Sequence, residues 1–448
     1  MINPLAGDTI AALATPPGIS ALAIIRVSGP SLKNIYSTLT KSEKPPKPRY
    51  AALCKIYNSK DDPVDSCIIT YFNRPKSFTG EDVVEISCHG GEYTTSSILK
   101  ILYSLGIRKA EPGEFSYRAF INGKIDLLQA ESISGLIAAK TEKNAEIQLK
   151  NLDGYLTQAI TNIRDSSLKL LTILEHELDF SEEEITHISH KNIVDELHKI
   201  KDTIKSMLST SSVGKIIKSG IRVVLFGKPN VGKSSLFNRM IGAERAIVTQ
   251  IPGTTRDIIE AWLEINGIPI CVVDTAGIHD TKELLESIGI EKTKGAVNQS
   301  DIIFIIDDKD PIKFYKQFSS LIVEKTIIFI QSKSDLYLPK RKQENISYIS
   351  MDNDLGIKKL FTKLSTTISA MSEHNLNDGA VIVSKRQAAL LNRSLSVLEL
   401  IFENISSNNF DIVSSLLREF TGCLEEMIGV VDNNEILEGI FSEFCVGK

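Results

Sequence analysis

The sequence predicts a multidomain chain of α/β plus all-α parts, with an open α/β domain inserted between two halves of a helical bundle. Three observations carry this expectation. Residues 1 to about 120 alternate short apolar strand-like runs with glycine and proline turns. Residues 125–215 and 380–440 are proline-free and carry apolar side chains at helical spacing. Between them a β-branched run passes through a glycine-rich loop into a helix, the order strand, phosphate loop, helix.

In the first region, DTIAALAT and ALAIIRVSG read as strands separated by the Thr15-Pro16-Pro17-Gly18 turn, and KSEKPPKPR (41–49) as a surface loop. GEDVVEISCHGG (80–91) reads as a glycine-bounded strand with Val83, Glu85 and Ser87 on one face and Val84, Ile86 and Cys88 on the other. SSILKILYSLG (96–106) reads as an amphipathic helix closed by Gly106. Arg26 and Glu85 interrupt apolar strands, which fits either an internal ion pair or a pair of ligand contacts. Cys88-His89 fits a packed thiol beside a hydrogen-bonded imidazole better than a nucleophile or metal ligand.

The first helical stretch carries Leu152, Leu156, Ile160, Ile163, Leu170, Leu174 and Leu178 as one stripe of a long helix. Asp179-Phe180 ends it, and Ser181 with Glu184 forms a capping box for the next. His176, His187, His190 and His198 show no metal-ligand spacing and read as exposed helix positions. The second stretch has its stripe at Leu390, Leu391, Leu395, Leu398 and Ile401, so the two stretches are expected to pack together.

The inserted segment opens with Val223, Val224, Leu225 and Phe226, then Gly227-Lys228-Pro229-Asn230-Val231-Gly232-Lys233-Ser234, which fits G-x-x-x-x-G-K-[ST]. The loop and helix N-terminus offer N–H groups to phosphate, Lys233 reaches the β- and γ-phosphates, and the Ser234 hydroxyl suits Mg²⁺. Ser235 follows in the same helical turn. Downstream come Thr249-Gln250-Ile251-Pro252-Gly253-Thr254-Thr255, two strands joined at Asn266-Gly267, and Asp274-Thr275-Ala276-Gly277 at a strand end. DIIFIID and TIIFIQSKSD supply two buried parallel strands, the second leading into Ser332-Lys333-Ser334-Asp335. That order and spacing is that of a GTPase. Two positions depart from the common pattern. Ile278 stands where a water-positioning Gln is often found, leaving His279, Asp280, Glu283 and Glu286 as candidates. Ser332 replaces the Asn of N-K-x-D, so guanine selectivity is expected to rest on Asp335.

Composition predicts an ordinary soluble globular protein with reduced thiols in a cytosol. With 448 residues, 42% hydrophobic and 24% charged, the length suggests about three domains. There is no membrane-length apolar run and no signal-peptide pattern. The six cysteines lack C-x-x-C spacing, so no zinc site or disulfide framework is suggested. A net charge of −5 argues against nonspecific coating of nucleic acid.

GKPNVGKSSL, TQIPGTTRD and DTAG, with GEDVVEISCHGG and EPGEFSYRAFINGKIDLLQAE upstream and FCVGK at the C-terminus, resemble the MnmE (TrmE) family of tRNA-modification GTPases over the whole chain. The resemblance implies an N-terminal folate-binding and dimerisation domain (1–120), a helical domain in two halves (121–216 and 376–448), and an inserted Ras-like P-loop G domain (217–375). It implies a homodimer working with the FAD-binding partner MnmG (GidA). Together they add an aminomethyl or carboxymethylaminomethyl group to carbon 5 of the wobble uridine of certain tRNAs, from a tetrahydrofolate one-carbon unit. It further implies GTP hydrolysis that depends on Mg²⁺ and is stimulated by K⁺.

By the same resemblance, Arg26, Glu85, Lys124 and Lys448 match folate contacts. Asn230, Thr249, Ile251 and Thr254 match the K⁺ site, and Ser234 and Thr255 the Mg²⁺ ligands. Glu286 matches the glutamate that orients the attacking water through a second water. Cys445 is either a nucleophile toward the uridine or a packed residue. Ser332, and Ser350-Met351-Asp352 in place of S-A-[KR], depart from the pattern around the base. The alternative reading is a regulatory or ribosome-assembly GTPase of the Era or Der type, without modification chemistry.

Overall fold

The computed structural model describes residues 7–30, 32–44, 46–179, 190–243, 246–247, 259–274, 295–322, 325–337, 343–371, 380–407, 409–430, 434–442, 444 and 446–447. Two compact units emerge, one of residues 1–134, 151–168 and 418–448, the other of 135–150 and 169–417. Among the described residues no helix is long and apolar enough to cross a membrane.

The first unit is built on a six-stranded sheet of order β3-β4-β5-β2-β1-β6, with β1 Ile10–Leu13, β2 Ser20–Ser28, β3 Ala51–Tyr57, β4 Pro63–Phe72, β5 Val83–Gly90 and β6 Arg108–Lys109. Helices α1 (Leu32–Thr40) and α2 (Glu92–Ser104) bury one face, their Leu32, Tyr36, Ile98 and Leu102 packing on Ala23, Ile25, Val27, Ile69, Val84, Ile86 and Cys88. Period-two alternation puts Leu22, Leu53 and Ile68 on the other face, where they are exposed. The predicted helix begins at Glu92, four residues before the apolar spacing signals it, and ends with Gly106 at φ +84° as expected. The sequence reading missed the β3–β4 hairpin, because Lys55, Asp65 and Ser66 break its apolar pattern.

Helices α3 (Glu114–Ile121), α4 (Leu127–Ile137), α5 (Glu142–Leu152) and α6 (Tyr155–Asp179) follow. The predicted leucine stripe is split. Leu152 closes α5, Gly154 takes φ +93°, and the stripe proper runs from Leu156 through Ile160, Ile163 and Leu170 to Leu174, all buried in α6. The proposed Ser181/Glu184 cap, Phe180 and His187 lie outside the described residues. Leu127, Tyr117 and Phe120 pack on Leu437, Phe441 and Phe444 of the C-terminal segment in the first unit. In the second unit, α7 (His190–Ser209) packs on the helix Lys385–Ile405, where exposed His198 lies against Phe402 and Lys201 reaches Glu399 at 3.6 Å. Leu395 is only partly buried there, and Ser394 and Val397 share the packed face.

Helix α8 (Ser211–Ser219) leads through Gly220 into a seven-stranded sheet of order β13-β12-β11-β7-β10-β9-β8. Strands β7 (Ile221–Gly227), β10 (Ile268–Asp274), β11 (Ile302–Asp307), β12 (Thr326–Gln331) and β13 (Ile346–Tyr348) run parallel to one another. Strands β8 (Ala246–Ile247) and β9 (Ile259–Ile265) run antiparallel at the edge. Asn266 and Gly267, both at positive φ, turn β9 into β10, as N-G between strands predicts. Apolar clusters cover both faces, which is why β10 and β11 read as unbroken apolar runs.

Candidate functional site

β7 lies between β10 and β11, so its C-terminal end sits where the strand order reverses, the usual place for a ligand in such a sheet. Gly227 ends β7 and α9 (Lys233–Ala243) begins six residues later. Each motif glycine has its own reason. A Cβ on Gly227 would stand 2.2 Å from the Ile306 carbonyl oxygen of β11, whereas Gly232 is needed for its φ of +94°. Asn230 is exposed and holds φ +60°, a conformation asparagine tolerates.

Lys233 is only 3% exposed, and its ammonium donates to the carbonyls of Gly227 (2.9 Å) and Lys228 (2.8 Å). Burial pulls its pKa below the ordinary lysine value, with Asp274 opposing the shift. A buried ammonium ringed by carbonyl oxygens, at the start of a helix, is a receptor for phosphate oxygens. Val231 is buried, while Ser234 and Ser235 are exposed on the first turn of α9. The Ser234 hydroxyl donates to Asp274 Oδ2 at 2.7 Å, and Asp274, 1% exposed, closes β10. Two oxygen donors held in contact beside the phosphate loop suit a hard, oxygen-preferring cation such as Mg²⁺.

The base end lies on the loop after β12. Ser332 and Ser350 are buried, and neither hydroxyl finds a hydrogen-bond partner among the described residues. Lys333 is exposed at φ +49°, and Asp335 is half-buried. The Gln331 amide donates to the Tyr337 carbonyl at 2.8 Å and holds this loop. The short Ser332 side chain turned into the protein supplies no carboxamide. Ser332→Asn is therefore expected to tighten GDP by about 1 kcal/mol, one neutral hydrogen bond. A calorimetric titration checks this, and unchanged affinity would count against the placement of the base.

Thr249, Gln250, Ile251, Pro252, Gly253, Thr254, Thr255, Thr275, Ala276, Gly277, Glu286, Cys445 and Lys448 lie outside the described residues, as do Ile278, His279, Asp280 and Glu283. Among the described residues no cluster of His, Cys, Asp and Glu forms a ready-made metal cage.

In the first unit, Arg26 and Glu85 face each other across β2 and β5, with Nη2–Oε1 2.8 Å and Nε–Oε1 3.0 Å. Of the two sequence readings, the internal ion pair is present. The guanidinium also lies 5.4 Å from the Phe78 ring centroid and 5.8 Å from that of Phe115, and donates to the Gly447 carbonyl at 3.4 Å. Gly447, at φ +95° against Leu13, and the Pro112–Val446 bridge bring the C-terminal segment to this position. Phe115 and Gly447 lie within quoted sequence blocks but were given no role from sequence, and Phe78 was not singled out. Lys124 is exposed, its stem beside Gly80. Cys88 is buried with its thiol pushed up to about 11, chiefly by burial, and His89 Nδ1 lies 2.7 Å from Asp65, so the inert reading of this pair holds.

Comparisons with known proteins place the chain in a family. The family models described as "GTP-binding protein TrmE N-terminus" and "MnmE helical domain" match residues 9–124 and 127–445. The tRNA modification GTPase MnmE of Aquifex aeolicus is 38% identical over 98% of this chain and 100% of its own length. Those of Clostridioides difficile (35%) and Sulfurimonas denitrificans (37%) are matched over 98% of this chain and 99% of theirs. Among solved structures, the G domain of the T. maritima FeoB iron transporter is 23% identical over 34% of this chain and 98% of its own, at a TM-score of 0.26, too low to bear on the fold.

Proposed function

The chain belongs to the MnmE family of tRNA modification GTPases, and from that premise we propose that it couples GTP hydrolysis to modification of carbon 5 of the wobble uridine of certain tRNAs. The observation that carries this reading is the pairing, in one chain, of a Lys233/Ser234/Asp274 phosphate site with an aromatic-flanked Arg26–Glu85 pair at the docked C-terminus. The working unit is a homodimer joined by the FAD-binding partner MnmG (GidA), acting in the cytoplasm where its tRNA substrates are. Its domains are the folate-binding and dimerisation domain 1–120, the helical halves 121–216 and 376–448, and the G domain 217–375. Exposed Leu22, Leu53 and Ile68 on the open sheet face support an apolar self-contact in the first of these.

In the G domain, Lys233 exchanges its two loop carbonyls for β- and γ-phosphate oxygens, while the α9 N–H groups bind the same phosphates. Ser234 and Thr255 hold Mg²⁺, with Asp274 orienting the Ser234 hydroxyl. Asn230, Thr249, Ile251 and Thr254 hold K⁺. Cations held by these residues would supply positive charge to the phosphates during hydrolysis. Glu286 orients the attacking water, a task Ile278 cannot perform. The Gly253 and Gly277 N–H groups line the phosphate end, and Asp335 with Lys333 reads guanine. Arg26, Glu85, Lys124 and Lys448 would hold a tetrahydrofolate derivative, the cations suiting its acidic tail and polar pterin. We assign Cys445 a packing role rather than that of a nucleophile.

Two experiments test the reading. In a deletion strain, the wild-type chain is expected to restore wobble-uridine modification, and Asp274→Ala is not. Restoration by Asp274→Ala would make the G domain dispensable, and an unchanged modification level in the deletion would favour the Era- or Der-type assembly factor. In a GTPase assay, turnover in K⁺ is expected to exceed that in Na⁺ by about tenfold or more, since a fitted cation supplies part of the transition-state charge. Equal rates would remove the Asn230 assignment.

A further inference from the structure

We infer that Lys228 and Asp307 form a positioning pair that sets the phosphate loop against the base-reading strand, so that both ends of the nucleotide meet a prearranged site. Lys228 is the second residue of the loop, and its Nζ lies 2.9 Å from Asp307 Oδ2. The same ammonium stands 5.5 Å from the Phe314 ring centroid. Asp307 closes β11 and is 2% exposed, its Oδ1 accepting from the Lys309 and Asp310 amides at 2.9 Å each. The main-chain carbonyl of Asp307 accepts from the Ser332 amide at 3.1 Å. One buried residue thus grips the phosphate loop with its side chain and the start of Ser332-Lys333-Ser334-Asp335 with its backbone.

Nothing in the motif readings uses either residue. The pair matters because of what surrounds it. The Lys233 ammonium bonds two loop carbonyls that phosphate oxygens replace, so those bonds cannot hold the loop once nucleotide is bound. The Lys228–Asp307 contact uses no atom that the phosphates need, and it persists. At the other end, the Ser332 hydroxyl reaches no partner among the described residues, so its side chain does not tie the base loop to the phosphate loop. Asp307 provides that tie. Burial alone would raise the Asp307 pKa, but the Asp310 amide and Lys228 outweigh it and keep the carboxyl below its ordinary value, hence charged. The bond to Asp307 in turn raises that of Lys228.

The inference rests on GTP occupying this loop, and the test separates the two. The full-length chain is titrated with a fluorescent methylanthraniloyl-GDP and assayed for GTP turnover. Lys228→Met is expected to weaken GDP and raise KM for GTP by about tenfold, the scale of coupling between contacting groups, with kcat within about twofold. Lys228→Arg should recover most of the loss, because a guanidinium also reaches the carboxylate. Asp307→Asn keeps the lysine charge and removes a negative one. A field effect on the phosphates would tighten GDP in that variant, whereas loss of positioning weakens it. GDP affinity within twofold of wild type in Lys228→Met, tighter binding in Asp307→Asn, or no recovery in Lys228→Arg would each overturn the pair. Wild-type GDP affinity in Lys233→Ala would instead remove the loop as the phosphate site, and the pair with it.

Discussion

Replacing Asp274 by Ala is expected to lower the turnover of GTP by about two to three orders of magnitude, the usual consequence of removing one preorganised electrostatic group. The carboxylate ends β10 beside β7, 1% exposed, and its Oδ2 accepts a hydrogen bond from the Ser234 hydroxyl at 2.7 Å. That bond fixes the Ser234 hydroxyl in place, where a divalent cation would need its oxygen. Alanine leaves the hydroxyl free to rotate and deletes the negative charge that offsets the cation. Ser234→Ala should move kcat in the same direction, and the double variant should lose little more than the worse single one, because the two groups act as a unit. Phosphate release under saturating GTP and Mg²⁺ reads the effect. A rate within tenfold of wild type for Asp274→Ala would sink the assignment.

Glu114→Gln is expected to destabilise the N-terminal unit by about 3–5 kcal/mol, the cost of removing one partner of a buried ion pair. Glu114 is fully buried at the start of α3. It accepts from Arg108 Nη1 at 3.0 Å, from Arg118 Nη2 at 3.0 Å and from the Glu111 amide at 2.8 Å. Arg118, 5% exposed, also reaches Asp8 and Glu81, and Arg108 Nε reaches Asp8 at 2.7 Å. Glutamine has no charge to offset the buried Arg118 guanidinium or the half-buried Arg108 beside it.

The same network sets an acid limit. Burial by itself would raise the Glu114 pKa, but Arg108, the Glu111 amide and Arg118 outweigh it and hold it below the ordinary 4.5. A carboxylate depressed in the folded state contributes its stabilisation in full above the unfolded value, and loses it as pH falls through the lower folded value. Asp8 is likewise held below 3.8 and adds to the same window. The α3 amides in the wild type should therefore show high protection factors at neutral pH and falling ones below about pH 4.5. In Glu114→Gln they should already exchange faster at pH 7, with a flatter pH dependence. Equal protection in both proteins at pH 7 would show that the network contributes nothing to stability.

What could be read from the chain alone was whatever is local. The loop from Gly227 to Ser234, the Asn266-Gly267 turn, and the apolar runs of β10 and β11 are each set by neighbours a few residues away. Propensity and spacing therefore announce them, and so does the helical character of α6. The split of that helix's stripe at Gly154 was the kind of local error such reading makes, because Leu152 keeps the right spacing on the wrong side of a break. Only the tertiary structure decided the partnerships. Arg26 meets Gly447 across 421 residues, Arg118 meets Asp8 across 110, and Lys228 meets Asp307 on another strand. No periodicity encodes these pairs. A charged residue in an apolar strand shows only that burial must be compensated, and which group compensates it depends on how the sheet and the chain ends come together.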